Sequence, residues 1–325
     1  MSMKRNNLNK KKARVICITP VRNEDWIIER FIRAAYLWAD DIIIADQMST
    51  DKTRSIIAGF SKVKIINNAS KTFNENERQK ILINAAREIP GKKLLVALDA
   101  DEFLTGNFID SEEWDRMLYS ESGTLFIMNW PCIAPDFKRY WMTDGSSNVF
   151  AYMDDGTPHI GTSMHSVRLP VSPNSIIIHL SQIEVMHFQY TDWSRMKSKN
   201  LWYQCYERIN NPHKSIFEIY RMYHHMDVKH KYNSIPDTWF NEYNNNGINL
   251  CNNGSSDNHY WWEDDVIEFK KRYGDDYFKY IDFKNNNNVI LLYLRRTQFL
   301  WKYKYGKAFL RRLDVVVNTY LLKNK

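Results

Sequence analysis

The sequence predicts an α/β fold in which a mostly parallel sheet is flanked by helices, followed by a helical C-terminal extension. Three observations predict it. Between residues 13 and 105, short apolar runs alternate with stretches whose apolar positions follow the helical period. The connections are short, as in strand-helix-strand units. Polar clusters rich in acids follow the apolar runs, where the carboxyl ends of parallel strands gather ligand-binding groups.

Taken in order, Val15 to Thr19, ended by Pro20, reads as the first buried strand. Asp25 is placed to cap a helix carrying Ile27, Ile28, Phe31, Ile32, Ala35 and Leu37 at helical spacing, and Asp41 opens a second strand, Ile42 to Ala45. Asp51 to Phe60 reads as a helix, Val63 to Ile66 as a strand, Glu75 to Glu88 as a helix and Leu94 to Leu98 as a fourth strand. Beyond about residue 120 the pattern loosens. Leu125 to Trp130 and Ser175 to Leu180 read as strands, with loops and hairpins between them around Asp144-Gly145 and Asp154-Asp155-Gly156. Trp193 to Ile209 and Ser215 to Met226 read as helices, the Asn-rich stretches Asn244 to Asn253 and Asn285 to Asn288 as loops, and Val289 to Lys325 as one or two basic helices.

Apolar residues make up 44% of the 325 positions and only 11 are glycine, which excludes disordered, collagen-like and disulfide-scaffold classes. The four cysteines, Cys17, Cys132, Cys205 and Cys251, form no CxxC pair and suit a reducing compartment. Met1 to Arg14 is basic and lacks the apolar stretch of a signal peptide, and no segment approaches the ~18 uncharged residues of a membrane span. The expected location is cytoplasmic, with peripheral contact to the membrane face as an option.

Chemistry concentrates where the fourth strand ends. Asp99-Ala100-Asp101 places two carboxylates just past a buried strand, a costly arrangement unless a cation sits between them. Oxygen ligands at this density suit Mg²⁺ or Mn²⁺, which complete their shells with phosphate oxygens and water. The alternative is that both acids only cap the following turn. Arg22-Asn23-Glu24 and Asp46 to Asp51, at the ends of the first two strands, give the first reading its weight.

Thr19-Pro20-Val21-Arg22-Asn23-Glu24, the run from Ile44 to Thr53, and Leu98-Asp99-Ala100-Asp101-Glu102 together resemble family 2 glycosyltransferases of the GT-A fold, over about residues 13 to 105. The resemblance implies a hexosyltransferase taking a UDP- or GDP-sugar donor and a glycan, lipid-linked saccharide or protein acceptor, with inversion at the anomeric carbon. It further implies that Pro20, Arg22, Asn23 and Glu24 line the nucleotide pocket, that Asp46 accepts hydrogen bonds from base or ribose, and that Asp99 faces ribose and metal. Asp101 would bind the Mn²⁺ or Mg²⁺ bridging the donor phosphates, with His187 as a further metal ligand. Arg78 is a candidate for added positive charge in the pocket, or a solvated helix face. The domains implied are a basic arm at 1–12, a nucleotide-sugar-binding and catalytic domain at 13–190, and a mainly helical extension at 191–325 on the acceptor side or near a membrane.

An inverting enzyme needs a base, and the family's downstream Glu-Asp pair has no counterpart here, which leaves a retaining mechanism open. The candidates are Glu184, whose apolar neighbours favour a raised pKa, then Asp155 and Asp154, with His165 as an outsider. Arg168 is a candidate phosphate contact. Trp193, Trp202, Tyr203, Tyr206, Tyr220 and Tyr223 either form an acceptor cleft or build core. His213, His224, His225 and His230 lack zinc spacing and read as helix surface. The basic and aromatic C-terminal run suits an anionic membrane. Two other functions stay in view. A sugar nucleotidyltransferase needs a Gly-rich loop after the first strand, and Thr19 to Asp25 has no glycine. A nucleic-acid binder would rest on the net charge of +7 and leave the acid clusters unexplained, so no nucleic-acid partner is expected.

Overall fold

The computed structural model describes residues 11–143, 145, 147–224, 227–228, 230–252, 259–283 and 288–322. Most of the N-terminal arm, Asp144, His225, Met226, Asn253 and Asn285 to Asn287 lie outside the described residues. The chain forms two compact units, Met1–Thr191 with Tyr232–Ser256, and Asp192–Lys231 with Asp257–Lys325.

In the first unit β1 (Arg14–Val21), α1 (Ile28–Ala35), β2 (Asp41–Asp46), α2 (Thr53–Ala58), β3 (Val63–Asn67), α3 (Glu75–Arg87) and β4 (Lys93–Ala97) alternate as the sequence predicts. Then come β5 (Glu102–Leu104), a 3-10 turn at Gly106–Asp110, α4 (Glu112–Leu118), β6 (Thr124–Asn129), β7 (Cys132–Ile133), β8 (Arg139–Trp141), β9 (Ser147–Met153), β10 (Ile176–His179) and β11 (Val185–His187). The chain continues through α5 (Trp193–Asn210) and α6 (Ile216–Tyr223) of the second unit. It returns to the first for β12 (Asn233–Ser234) and α7 (Thr238–Asn245), and ends in the second with α8 (Trp261–Tyr273), α9 (Val289–Thr297) and α10 (Lys304–Leu322).

A seven-stranded sheet runs in the order β10-β6-β9-β4-β1-β2-β3. β1 is parallel to both β2 and β4, β2 to β3 and β6 to β10, while β9 runs antiparallel between β4 and β6. Both faces of its centre are buried, which is why these strands read as unbroken apolar runs. Along β1, Val15 and Cys17 pack on one face with Phe31 and Ile32 of α1, while Ile16 and Ile18 pack on the other with Leu82 and Ile83 of α3. A second sheet, β12-β8-β7-β11-β5, follows from β5 pairing antiparallel with β11.

Several elements differ from the sequence reading. The helix expected from Asp25 begins at Ile28: the Asp25 amide donates to Asp51, and the Glu24 carbonyl accepts from the Ile27 and Ile28 amides instead. The segment expected as loops and hairpins contains β9, whose Ser147-Asn148-Val149-Phe150 start hides the strand period. α7 runs into the Asn-rich stretch, and α4 and α8 were not foreseen. Of the aromatics offered as an acceptor cleft, Trp202, Tyr220 and Tyr223 are buried inside the second unit, with Trp202 stacked on Tyr206 and donating to Asp265. Arg221, fully buried in that unit, donates to both oxygens of Asp314 at 2.9 and 2.8 Å. Among the described residues no helix is long and apolar enough to cross a membrane.

Leu95 has no exposed surface, whereas Ile65 on the edge strand β3 is 38% exposed. Leu95→Ala is expected to cost about 2–5 kcal/mol and Ile65→Ala under about 1 kcal/mol. Urea midpoints compare them, and equal losses would contradict the sheet order.

Candidate functional site

The parallel register sets the site. Val21 of β1 stands opposite Asp46 of β2, and Ile18 opposite Ala97 of β4, so the chain leaves all three strands along one edge. The exits of β1 and β2 are fastened to each other. Asn23, in the left-handed region at φ 54°, donates from its amide nitrogen to Thr50 Oγ1 at 3.1 Å and accepts from the Thr50 amide at 2.7 Å. The Asn23 and Glu24 amides donate to Ser49 and Thr53 at 2.9 and 2.8 Å. Asp51 accepts from the amides of Asp25 and Thr53. Glu24 also accepts from the Trp26 indole at 2.7 Å. Asn23 and Glu24 therefore hold the two loops in register, while Pro20 pairs opposite Ala45, one step before the ladder ends at Val21, and Arg22 follows, half-buried.

Asp46 is buried at the end of β2. One oxygen accepts from Arg54 at 2.6 Å, and the other, Oδ1, is buried without a hydrogen-bond partner. Arg54 was not foreseen; its place in the first turn of α2, eight residues after Asp46, is the only signal in the sequence. Arg78 packs over the Phe73 ring, 5.0 Å from its centre, and lies 3.8 Å from Glu75, with a buried Nε that has no partner.

The acids beyond β4 divide into two sets. Arg168, buried, donates to both oxygens of Glu102 and, at 3.2 Å, to Asp99, and its guanidinium lies 5.2 and 5.0 Å from the Trp130 and Phe150 ring centres. Burial pushes the Glu102 carboxyl up to about 7 against the pull of Arg168, and Asp99 and Asp101 push it the same way as burial. Those carboxylates in turn drive the Arg168 guanidinium up. Arg168 is thus a partner of two of the acids, and Asp99 is drawn toward a fixed cation.

Asp101 and His187 form the other set. β11 pairs with β5 so that His187 stands opposite Glu102, and His187 Nε2 lies 3.9 Å from Asp101 Oδ1, both side chains nearly buried. Stacking on Trp130, 4.4 Å between centres and 11° from parallel, fixes the imidazole, and the Gln189 amide sits 3.1 Å from its Nδ1. Trp130, whose indole nitrogen is buried without a partner, and Gln189 were both missed by sequence reasoning. Among the described residues no three His, Cys, Asp or Glu side chains gather in a metal-holding group.

The base candidates fall elsewhere. Asp155 lies beyond the amino end of β4: the Asp154 amide donates to the Lys93 carbonyl, and Met153 pairs with Leu94. That is a correction, since the whole length of β4 separates Asp155 from Asp99 and Asp101. Burial pushes Asp155 up, but hydrogen bonds from Tyr152 and Thr157 hold it below the usual carboxylate range. Asp154 is gripped by Arg87 at 2.8 Å. His165, at φ 55°, sits in the loop whose Ser166 amide donates to Glu75. Glu184 extends the β5–β11 ladder opposite Thr105 and accepts from Asn129 at 2.7 Å; burial raises its pKa and Asn129 lowers it. Three residues before His187, its side chain leaves from the other face of the strand.

Because Glu102 is raised in the folded state, its contribution to stability is full below its unfolded pKa and is lost as pH rises through about 7. Arg168→Met, which leaves the carboxylate unpaired, is expected to cost about 3–5 kcal/mol near pH 8 and less near pH 5, where Glu102 is protonated. Urea melts at the two pH values check this, and a pH-independent loss would contradict the pairing.

Among solved structures, this chain is similar to a 4-diphosphocytidyl-2C-methyl-D-erythritol synthase at 11% identity, covering 28% of this chain and 47% of that one, with a TM-score of 0.23. It is similar to the glucosyl-3-phosphoglycerate synthase of Mycobacterium tuberculosis in complex with Mn²⁺, UDP and phosphoglyceric acid at 18% identity, covering 37% and 43%, with a TM-score of 0.28. The inositol-1-phosphate CTP transferase of T. maritima follows at 6% identity, covering 55% and 90%, with a TM-score of 0.31. The chain spans less than half the length of the first two. No curated protein matches it. The segment from residue 16 to residue 153, which holds β1 to β9 apart from its first two residues, matches the sequence model of Glycosyl transferase family 2.

Proposed function

We propose that the protein transfers a sugar from a nucleotide-sugar, with a UDP- or GDP-sugar as donor, to a saccharide or lipid-linked acceptor. The observation that carries this reading is the Asp101–His187 pair, 3.9 Å apart and nearly buried at the end of β4, in a chain whose residues 16–153 match a sugar-transfer family.

The residues present fit a divalent ion. Two ligands about 2.1 Å from a common ion stand between about 3.0 and 4.2 Å apart, and Mg²⁺ and Mn²⁺ are held by one or two protein groups plus phosphate oxygens and water. A carboxylate beside an imidazole favours Mn²⁺ over the strictly oxygen-seeking Mg²⁺. Such an ion, when bound, supplies positive charge to a departing diphosphate. The chain does the rest. Asp46 Oδ1 offers a ready acceptor for a ribose hydroxyl or base N–H, and the fastened β1 and β2 exits hold it in place before the donor arrives. Arg168 holds Asp99 and Glu102, leaving Asp101 as the carboxylate turned to the imidazole. Gln189 Nε2 lies 3.1 Å from His187 Nδ1 and helps fix the orientation of the ring beside Asp101. Transfer with inversion is the course the family resemblance favours.

The test is a panel of UDP-, GDP-, TDP- and CMP-sugars scored for Mn²⁺-dependent thermal stabilisation. One donor is expected to stabilise by about 2.7 kcal/mol at a hundredfold excess over Kd, and Asp101→Ala is expected to abolish the Mn²⁺-dependent part. A panel without any Mn²⁺-dependent shift sinks the proposal. Gln189→Leu is expected to weaken Mn²⁺ by about 10–100-fold, read by titrating the ion against the donor-induced shift; an unchanged midpoint rejects its role.

A further inference from the structure

From α10 we infer a docking surface for an anionic lipid bilayer, separate from the sugar-transfer reading and not dependent on it. The helix is apolar on the side that faces outward. Tyr305, Phe309 and Val316 recur at spacings of four and seven residues, which puts them in one stripe, and all are exposed, Tyr305 by 88% and Phe309 by 57%. The opposite stripe, with Leu310 and Asp314, is buried. Phe299 and Tyr303, just before the helix, are exposed as well. A water-facing stripe would not carry an aromatic, an aromatic and a valine in register.

Charge identifies the occupant. Residues 289–325 carry nine Lys and Arg and a single acid, a net +8 against +7 for the whole chain, so the other 288 residues sum to −1. The single acid, Asp314, is bound on the buried side by Arg221 and Tyr293. Arg311 and Arg312 are exposed on α10, and Asp282 is held by Arg295 of α9. An apolar stripe flanked by arginines, with its acid withdrawn, is complementary to acyl chains beneath anionic headgroups. Nucleic acid would use the arginines and leave Tyr305, Phe309 and Val316 in water. A second copy of this chain would bring like charges together.

The test is co-sedimentation of the full chain with vesicles of phosphatidylcholine alone or mixed with phosphatidylglycerol. Binding is expected to the mixed vesicles only, and to fall as salt is raised. Phe309→Asp with Val316→Asp is expected to weaken it by about tenfold or more, and Arg311→Glu or Arg312→Glu by about fivefold each. Tyr305→Ser, at the most exposed position, weakens it without touching the packed side and guards against a folding defect in the double variant. The inference is overturned if mixed vesicles bind no better than neutral ones, or if the apolar substitutions leave binding unchanged. It is also overturned if a DNA or RNA oligomer binds in their place, or if the stripe instead drives self-association.

Discussion

Three carboxylates within four residues stand at the end of β4 because one guanidinium is buried among them. Without Arg168, Asp99, Asp101 and Glu102 would repel one another at a strand end where Glu102 is fully buried. The pairing is two-pronged toward Glu102 and single toward Asp99, and the flat guanidinium lies near the Trp130 and Phe150 rings, a geometry a lysine would not reproduce. Trp130 also stacks on His187, so the same indole sets the cation that neutralises two acids and the imidazole that faces the third. The division of labour among the acids is therefore decided by packing from β6 and the loop before β10, not by the DxD triplet itself.

The same logic explains what could be read from the sequence. β1 to β4 were legible because both faces of the sheet are buried and the apolar runs are unbroken, and the clusters at their ends were legible because parallel strands deliver their exits to one edge. Asp46, Asp99 and Asp101 follow from that rule alone. Arg168 and Trp130 do not, since they reach the acids from 66 and 29 residues beyond Glu102 and Asp101 through pairings that no local period records. The misplacement of Asp155 has the same root. β9 begins with a polar stretch, its strand character was missed, and so was the antiparallel turn that carries Asp154 and Asp155 to the amino end of β4. Glu184 shows a different limit: its apolar surroundings raise its pKa as expected, but the parity of its distance from His187 sends it to the other face.

Asn23 and Glu24 show how motif residues fasten two loops to each other. Their amides and the Asn23 side chain are used up by Ser49, Thr50 and Thr53, so the two loops form one body. The reciprocal bonds between Asn23 and Thr50 tie the exit of β1 to that of β2.

What this fastening holds in place is a buried carboxylate oxygen with nothing bonded to it. A buried acceptor left unsatisfied costs about 1–3 kcal/mol, and the fold has a donor nearby, Arg54, which engages only Oδ2 and turns its other bond to Asn67. Ser49 approaches Oδ2 through its amide at 3.4 Å, while its side chain accepts from the Asn23 amide. The loops spend their polar groups on each other and leave Asp46 Oδ1 open. In the proposed reaction a donor hydroxyl or N–H bonded to Oδ1 would satisfy that acceptor, so binding would recover free energy that folding leaves unrecovered.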